Sequence, residues 1–209
     1  MSRGRSDSSA RWLREHHSDA FVRRSKVEGY RSRAAYKLEE LLQRDLLLKP
    51  GMLIVDLGAA PGGWSQLLAQ KSKRRCRIVA IDLLEMPPIE GVDFLQADFS
   101  SDEGLAALDR LIDGAAVDLV LSDMAPNMTG VKDVDMVRSY ALAELALDFA
   151  QQRLKPGGSF AIKLFQGEGF DAYLRALRAR FGKVLIRKPE ASRDRSRELY
   201  ALALNYKPA

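Results

Sequence analysis

Cysteine is nearly absent from this chain: Cys76 stands alone. That excludes a disulfide framework and a thiolate metal cluster, and it points to a reducing compartment. Histidine is as scarce. His16 and His17 sit side by side in a polar, arginine-rich segment, and with no further ligands near them in sequence no metal is assigned. No apolar run approaches the length of a membrane span, and no apolar segment follows the cationic N-terminus as it does in a secretory leader. A soluble, cytoplasmic protein is expected. Repeats, low-complexity tracts, zinc fingers and separate RNA-recognition modules are also lacking. Neither a coiled coil nor a long apolar surface stripe argues for an obligate dimer, so a monomer is expected.

What is present suffices for one substantial core: 209 residues, 46% of them hydrophobic. The formal charge of +5 is modest but unevenly spread. Ten Arg or Lys residues against four acids lie between Met1 and Lys37, and Arg187, Lys188, Arg193, Arg195 and Arg197 form a second group near the C-terminus. If the two ends meet in space they make one positive face, suited to a phosphate backbone. Residues 1–29 read as a basic, partly flexible arm and residues 30–209 as a single domain.

Along that domain, strands alternate with helices. A helix over about 33–46, capped by Ser32, carries Ala35, Leu38, Leu41 and Leu42 on one stripe, with Lys37 on its flank. Strands follow at 53–57, 77–82, 93–95, 117–122, 159–164, 184–187 and 198–205. Helices are expected at 62–70, 102–112, from 133 onward and at 169–180. Pro156–Gly157–Gly158 reads as the turn into the fifth strand. Such alternation implies a mainly parallel sheet covered on both faces, an α/β fold. The connection at 188–197 is too short for a crossover helix, so the last strand should run antiparallel.

The first strand runs into Asp56-Leu-Gly58-Ala59-Ala60-Pro61-Gly62-Gly63-Trp64, a turn of small residues that lets a ligand approach the backbone closely. A dinucleotide fingerprint wants a third small position of glycine where Ala60 stands, and no Lys followed by Ser or Thr forms a triphosphate-gripping loop. Asp56, Asp82, Asp98 and Asp123 end or follow successive strands at one rim. A pyrophosphate would be repelled there, whereas a sulfonium and an amino group would be welcomed. S-adenosylmethionine is therefore the expected cofactor, with a dinucleotide as the alternative. Its candidate ligands are Gly58, Ala59, Pro61, Gly62, Gly63, Trp64, Asp82, Leu83, Asp98, Phe99 and Asp123. Asp82 would accept from both ribose hydroxyls and Asp98 from the adenine amino group. Trp64 either stacks on a ligand or packs against the sheet.

Taken together, Asp56 to Trp64, Asp123-Met-Ala-Pro-Asn127 and Gly157–Gly158 through Lys163 resemble the FtsJ/RrmJ-like ribose 2′-O-methyltransferases, from about Ser25 to the C-terminus. The resemblance implies a methyltransferase (Rossmann-like) fold whose seven-stranded sheet has an antiparallel last strand. It implies a Lys–Asp–Lys–Glu tetrad, which falls on Lys37, Asp123, Lys163 and Glu198. It also implies 23S rRNA within the large ribosomal subunit as substrate, with a uridine of the A-loop as target. The chemistry is coherent on its own terms. A ribose hydroxyl is a poor nucleophile and must lose its proton as it attacks a methyl sulfonium, so Lys163 reads as the base or as the group orienting the hydroxyl. Asp123 then holds Lys163, while Lys37 and Glu198 orient the ribose and the lysines.

Arg23, Arg24, Lys26, Arg31 and Arg33 lead directly to Lys37, and Arg193, Arg195 and Arg197 precede Glu198, placing candidate RNA-phosphate contacts beside the tetrad. Such contacts position a substrate without specifying its sequence. Two other readings stay open at this level: a 2′-O-methyltransferase of tRNA, and a non-catalytic RNA-binding ribosome-assembly factor.

Overall fold

The computed structural model describes residues 19–193 and 195–208; His16, His17 and the first part of the basic arm lie outside them. The elements in chain order are α1 (Ala20–Val27), α2 (Ala34–Arg44), β1 (Leu53–Leu57), α3 (Gly63–Lys71), β2 (Arg77–Asp82), β3 (Val92–Gln96), α4 (Asp102–Ile112), β4 (Val117–Ser122), α5 (Lys132–Arg153), β5 (Leu154–Phe165), α6 (Phe170–Arg180), β6 (Phe181–Arg187) and β7 (Glu198–Tyr206). Among the described residues the strands form one seven-stranded sheet in the order β3-β2-β1-β4-β5-β7-β6. All pairs are parallel except those of β7, which runs antiparallel to both β5 and β6. The reversed last strand expected from the short 188–197 connection is thus present.

Period-two alternation divides the core into two layers. Val55, Leu57, Val79, Ile81, Val120, Phe160, Ile162, Ala201 and Ala203 face α4, α5 and α6. Ile54, Ile78, Leu119, Leu121, Ala161, Tyr200 and Leu202 face α2 and α3. Burial on both faces explains why β1, β2 and β4 read as largely apolar runs, broken in their interiors only by Asp56 and Asp118. The chain moves from β1 outward to β3, then returns to place β4 on the other side of β1. The carboxyl ends of β1 and β4 therefore flank the point where strand order reverses, the ordinary position for a ligand in an open α/β sheet.

Local signals were overridden in a few places. Ser32 does not cap α2: Arg33 occupies the N-cap without a side-chain bond, and the Ser32 hydroxyl is buried with no partner. A missing cap costs about 1 kcal/mol. Leu38 and Leu41 are both fully buried, and each contributes about 1.5–3 kcal/mol by leaving water, so packing wins. Gly157 and Gly158 lie within β5, in a register break between Val117 and Leu119 of β4, and not in a turn before the strand. Residues 20–27, placed in the basic, partly flexible arm, form α1, because Asp19 accepts from the amides of Phe21 and Val22, and Phe21 packs on Tyr36 with ring centroids 5.6 Å apart. Eight residues are too few for a helix to persist alone in water; tertiary contacts hold this one.

The end of α3 carries an unusual closure. Lys73 N–H bonds to the carbonyl of Gln70 and Arg74 N–H to that of Ala69, the pattern that ends many helices with a left-handed residue, usually glycine. Here Lys73 and Arg74 both adopt positive φ, 51° and 57°. For residues with a Cβ the left-handed region costs about 1–2 kcal/mol each.

Candidate active site

Beyond the carboxyl ends of β1 and β4 lies a cavity of about 480 Å³, lined in part by Gly58, Asp82, Asp98, Phe99, Asp123 and Asn127. Gly58 lines this cavity, and Gly62 follows it in the same turn. Gly58 has φ 77°, and a Cβ there would meet Met124 Cγ at 2.5 Å; Gly62 has φ 102°, and a Cβ would meet Met86 Sδ at 2.7 Å. Any side chain at Gly58 would force away the start of the Asp123–Asn127 loop. That loop is anchored from α5: the buried Asp135 carboxylate accepts from the Thr129 amide and hydroxyl, both at 2.7 Å, and from the Gly130 amide at 3.0 Å. These bonds hold the Asp135 carboxyl below its ordinary pKa.

Of the expected cofactor ligands, Gly58, Asp82, Leu83, Asp98, Phe99 and Asp123 line the cavity. Asp82 is oriented by two amides, Ala60 N–H to one oxygen and Leu84 N–H to the other, each at 2.8 Å. Each oxygen keeps a second lone pair for a hydroxyl. Asp98 is exposed and accepts from the Ser100 amide and hydroxyl. Ala59, Pro61, Gly62, Gly63 and Trp64 do not line the cavity. Ala59 packs on Ala80 and Met86. Trp64 is buried, donates to the Ala34 carbonyl at 2.8 Å and packs on Tyr200, so its role is to join α3 to α2. Phe99 directs its ring edge-on against Phe149 in the core.

Beneath the turn, Asp56 is fully buried. One of its oxygens accepts the Ser65 hydroxyl at 2.6 Å and the other has no partner. Burial, together with the nearby charges of Asp123 and Asp82, pushes its pKa up to about 7, against the Ser65 bond that lowers it.

Lys37, Asp123, Lys163 and Glu198 come from α2, the end of β4, β5 and β7, and the fold brings all four together. Lys163 Nζ lies 3.1 Å from Asp123 Oδ1 and donates to the Asp123 carbonyl at 2.5 Å. Lys37 Nζ lies 2.6 Å from Glu198 Oε1. The link between the two ion pairs is Tyr200, a residue not among the candidates named from the sequence. Its hydroxyl donates to Asp123 Oδ1 at 2.7 Å, and Lys37 Nζ stands 3.4 Å from the same hydroxyl. Tyr200 is fully buried, and burial beside Asp123 and Glu198 raises its pKa well above 10, so it remains a donor. Burial alone would raise the Asp123 carboxyl. Lys163, Lys37 and the Tyr200 hydroxyl outweigh it and hold the group below the usual range, ionised. The signal for Tyr200 was available: it lies two residues from Glu198 on the same face of β7 and opposite Lys163 in the β5–β7 register.

The chain's basic ends do meet. Asp19 pairs with Arg33 and stands 3.7 Å from Arg193, and Arg33 also donates to the Ala191 carbonyl. Arg31 is committed to the Pro87 and Pro88 carbonyls at 2.6 and 2.7 Å. Arg33 is thus not a free surface cation, whereas Arg31 is held by carbonyls that leave its charge unneutralised. Arg23, Lys26, Arg195 and Arg197 are exposed, as is Arg24, which pairs with Glu28 and lies over the Tyr36 ring. Among the described residues no helix is long and apolar enough to cross a membrane.

The family described as FtsJ-like methyltransferase matches residues 30–206. Ribosomal RNA large subunit methyltransferase E of Stenotrophomonas maltophilia is 61% identical over 198 residues, covering 95% of this chain and 94% of that protein. The protein of the same name from Xanthomonas campestris pv. campestris is 59% identical over the same share of each. In three dimensions, the crystal structure of a ribosomal RNA methyltransferase from Plasmodium falciparum superposes with a TM-score of 0.78 at 31% identity, covering 86% of this chain and all of that one.

Proposed function

The chain belongs to the FtsJ-like methyltransferase family, and from that footing we propose that it methylates ribosomal RNA, transferring a methyl group from S-adenosylmethionine to the ribose 2′-hydroxyl of a uridine in the A-loop of 23S rRNA. The observation that carries the reading is the chain of contacts Glu198–Lys37–Tyr200–Asp123–Lys163 beside an acid-rimmed cavity. A module that only binds RNA has no use for two ion pairs joined through a buried phenol.

The cavity residues fit this cofactor. Asp82, Asp98 and Asp123 offer carboxylates to a cationic nucleoside and no cation to a pyrophosphate. Asp82, fixed by two amides, suits a pair of ribose hydroxyls, and Asp98 suits an exocyclic amino group. When bound, S-adenosylmethionine supplies an electrophilic methyl group on a sulfonium. The rest falls to the protein. Lys163 Nζ, only 10% exposed at its side chain and held by two oxygens of Asp123, meets the ribose hydroxyl and either orients it or accepts its proton. Asp123 fixes that nitrogen from below while Tyr200 fixes Asp123. Lys37, neutralised by Glu198, presents N–H donors to the substrate from the α2 side. The exposed cations of α1 and of residues 195–197 contribute phosphate contacts that place the RNA without reading its bases.

The test is a map of ribose methylation on total RNA from cells with and without the gene. Loss of one 2′-O-methyl uridine in the 23S rRNA A-loop is expected. Loss confined to tRNA would move the activity to another substrate, and an unchanged map would remove catalysis altogether.

A further inference from the structure

A second cavity, of about 620 Å³, lies away from the tetrad on the outer side of α3. Its wall includes Arg31, Gln66, Lys73, Arg74 and Glu90. It begins where the chain before α2 crosses α3: Gln66 accepts from the Arg31 amide at 2.9 Å and donates to the Gly29 carbonyl at 2.8 Å. It ends at the Lys73–Arg74 corner that closes α3, roughly 10 Å further along the helix axis.

Charge and backbone both set this region apart. Lys71, Lys73, Arg74, Arg75 and Arg77 are all exposed. With Arg31 they make six cations against three paired carboxylates: Glu39 on Lys71, Glu90 on Arg74 and Asp93 on Arg77. Arg31 is bound only by carbonyls, which leave its charge uncompensated. Lys73 has no carboxylate partner among the described residues. Lys73 and Arg74 moreover occupy consecutive left-handed positions that glycine would fill without strain. Two cationic side chains kept where the backbone disfavours any side chain point to work done by the charges.

We infer that this cavity is a second RNA-phosphate site, which grips the backbone of the substrate RNA at a distance from the methylated nucleotide, with Lys73 and Arg74 as its contacts. The inference rests on the RNA-methyltransferase reading and extends the footprint from the chain's two ends, across Arg31, to the far end of α3. An RNA backbone is the occupant the charge pattern selects: of the cations that line the groove, Arg31 stands at one end and Lys73 and Arg74 at the other, instead of converging on one point, as a strand of spaced anions requires. Gln66, Gln70 and the three cations outnumber the apolar Ala69, Pro88 and Ile89 in its wall, which favours a charged occupant over an apolar one.

Lys73→Gly/Arg74→Gly removes both charges and relieves the backbone, so the thermal midpoint should not fall. Binding of the parent and the variant to a 23S rRNA transcript, and to large ribosomal subunits from cells lacking the gene, is measured across a series of KCl concentrations. Loss of two phosphate contacts should flatten the log–log salt slope by about 1.4–1.8 on both probes. Lys73→Gln/Arg74→Gln, which keeps side-chain bulk, should flatten it equally. Unchanged slopes overturn the inference. A change seen on the subunit but not on the transcript also overturns it, since the contact would then be to an acidic protein surface. Methyl transfer by the parent onto the same subunits is scored separately: a parent that methylates them while the variant keeps its slope refutes the cavity and spares the enzyme.

Discussion

Asp56→Asn should make this protein more stable at neutral and alkaline pH. The Asp56 carboxyl is fully buried at the end of β1, with a single Ser65 hydroxyl bonded to one oxygen and nothing on the other. Burial raises its pKa from 3.8 to about 7. Because the folded value lies above the unfolded one, the folded state holds the proton more tightly. The associated stability is present below the unfolded pKa and is lost as pH rises through about 7. A gap of about three pH units at 1.36 kcal/mol each sets the full loss at roughly 4 kcal/mol. Most of it falls between pH 5 and 8, where the same linkage gives roughly 2–3 kcal/mol. Asparagine has the shape of the protonated acid, keeps an acceptor for Ser65 and does not titrate. Urea unfolding of both proteins at several pH values from 5 to 8 isolates the effect, since carboxylates common to both largely cancel in the difference. The advantage of the variant should grow by roughly 2–3 kcal/mol across that range. A difference that stays flat with pH would show that Asp56 is ionised throughout and would refute the reasoning.

Two further substitutions probe the tetrad. Tyr200→Phe keeps the packing against Trp64 but removes the donor to ionised Asp123. A bond to a charged group is worth about 1.5–3 kcal/mol, so the maximal methyl-transfer rate should fall by roughly 10- to 100-fold with cofactor affinity retained. A parental rate would reduce Tyr200 to a core residue. Lys163→Arg keeps a cation near Asp123, but arginine does not deprotonate and its planar fork does not match a compact ammonium. If Lys163 accepts the ribose proton, this variant and Lys163→Ala should be similarly poor in single-turnover assays, by about 10²–10⁴-fold. A near-parental arginine variant would leave Lys163 only a positioning role.

What was legible in the sequence, and what was not, follows from the range of the forces involved. Strand positions β1, β2 and β4 were readable to the residue because burial on both faces leaves largely apolar runs, broken in their interiors only by Asp56 and Asp118, which turn residues then bound. The reversed β7 followed from connection length alone. Helix α1 was not readable: its eight residues bury only Val22 and Ser25, and the helix is held by an N-cap and by Tyr36, a residue in another element. Trp64 was half readable, since an aromatic opening a helix can face a ligand or a neighbour, and the Ala34 carbonyl that decides the matter lies thirty residues away.

Tyr200 marks where alternation stops being informative about chemistry. Period two assigns a residue to a face of the sheet, and the face of β7 that carries Tyr200 and Leu202 is core. Near the end of the strand, however, the same face reaches the ligand rim, where Glu198 pairs with Lys37. A tyrosine there satisfies both demands: its ring is packed in the core, and its hydroxyl lies at the boundary where two ion pairs need a neutral donor between them. A phenylalanine would meet the apolar demand equally well, and a serine could not reach. The hydroxyl is therefore the part of Tyr200 that packing cannot explain, and its two bonds account for it. The same logic separates Asp56 from Asp123. Both carboxyls stand near strand ends beside the cavity, yet one has a hydroxyl on one oxygen and no partner on the other, while the second faces two lysines and a phenol. The first is pushed toward neutrality and the second is held ionised. Their difference comes from partners contributed by α2, α3, β5 and β7, and no local window of sequence contains it.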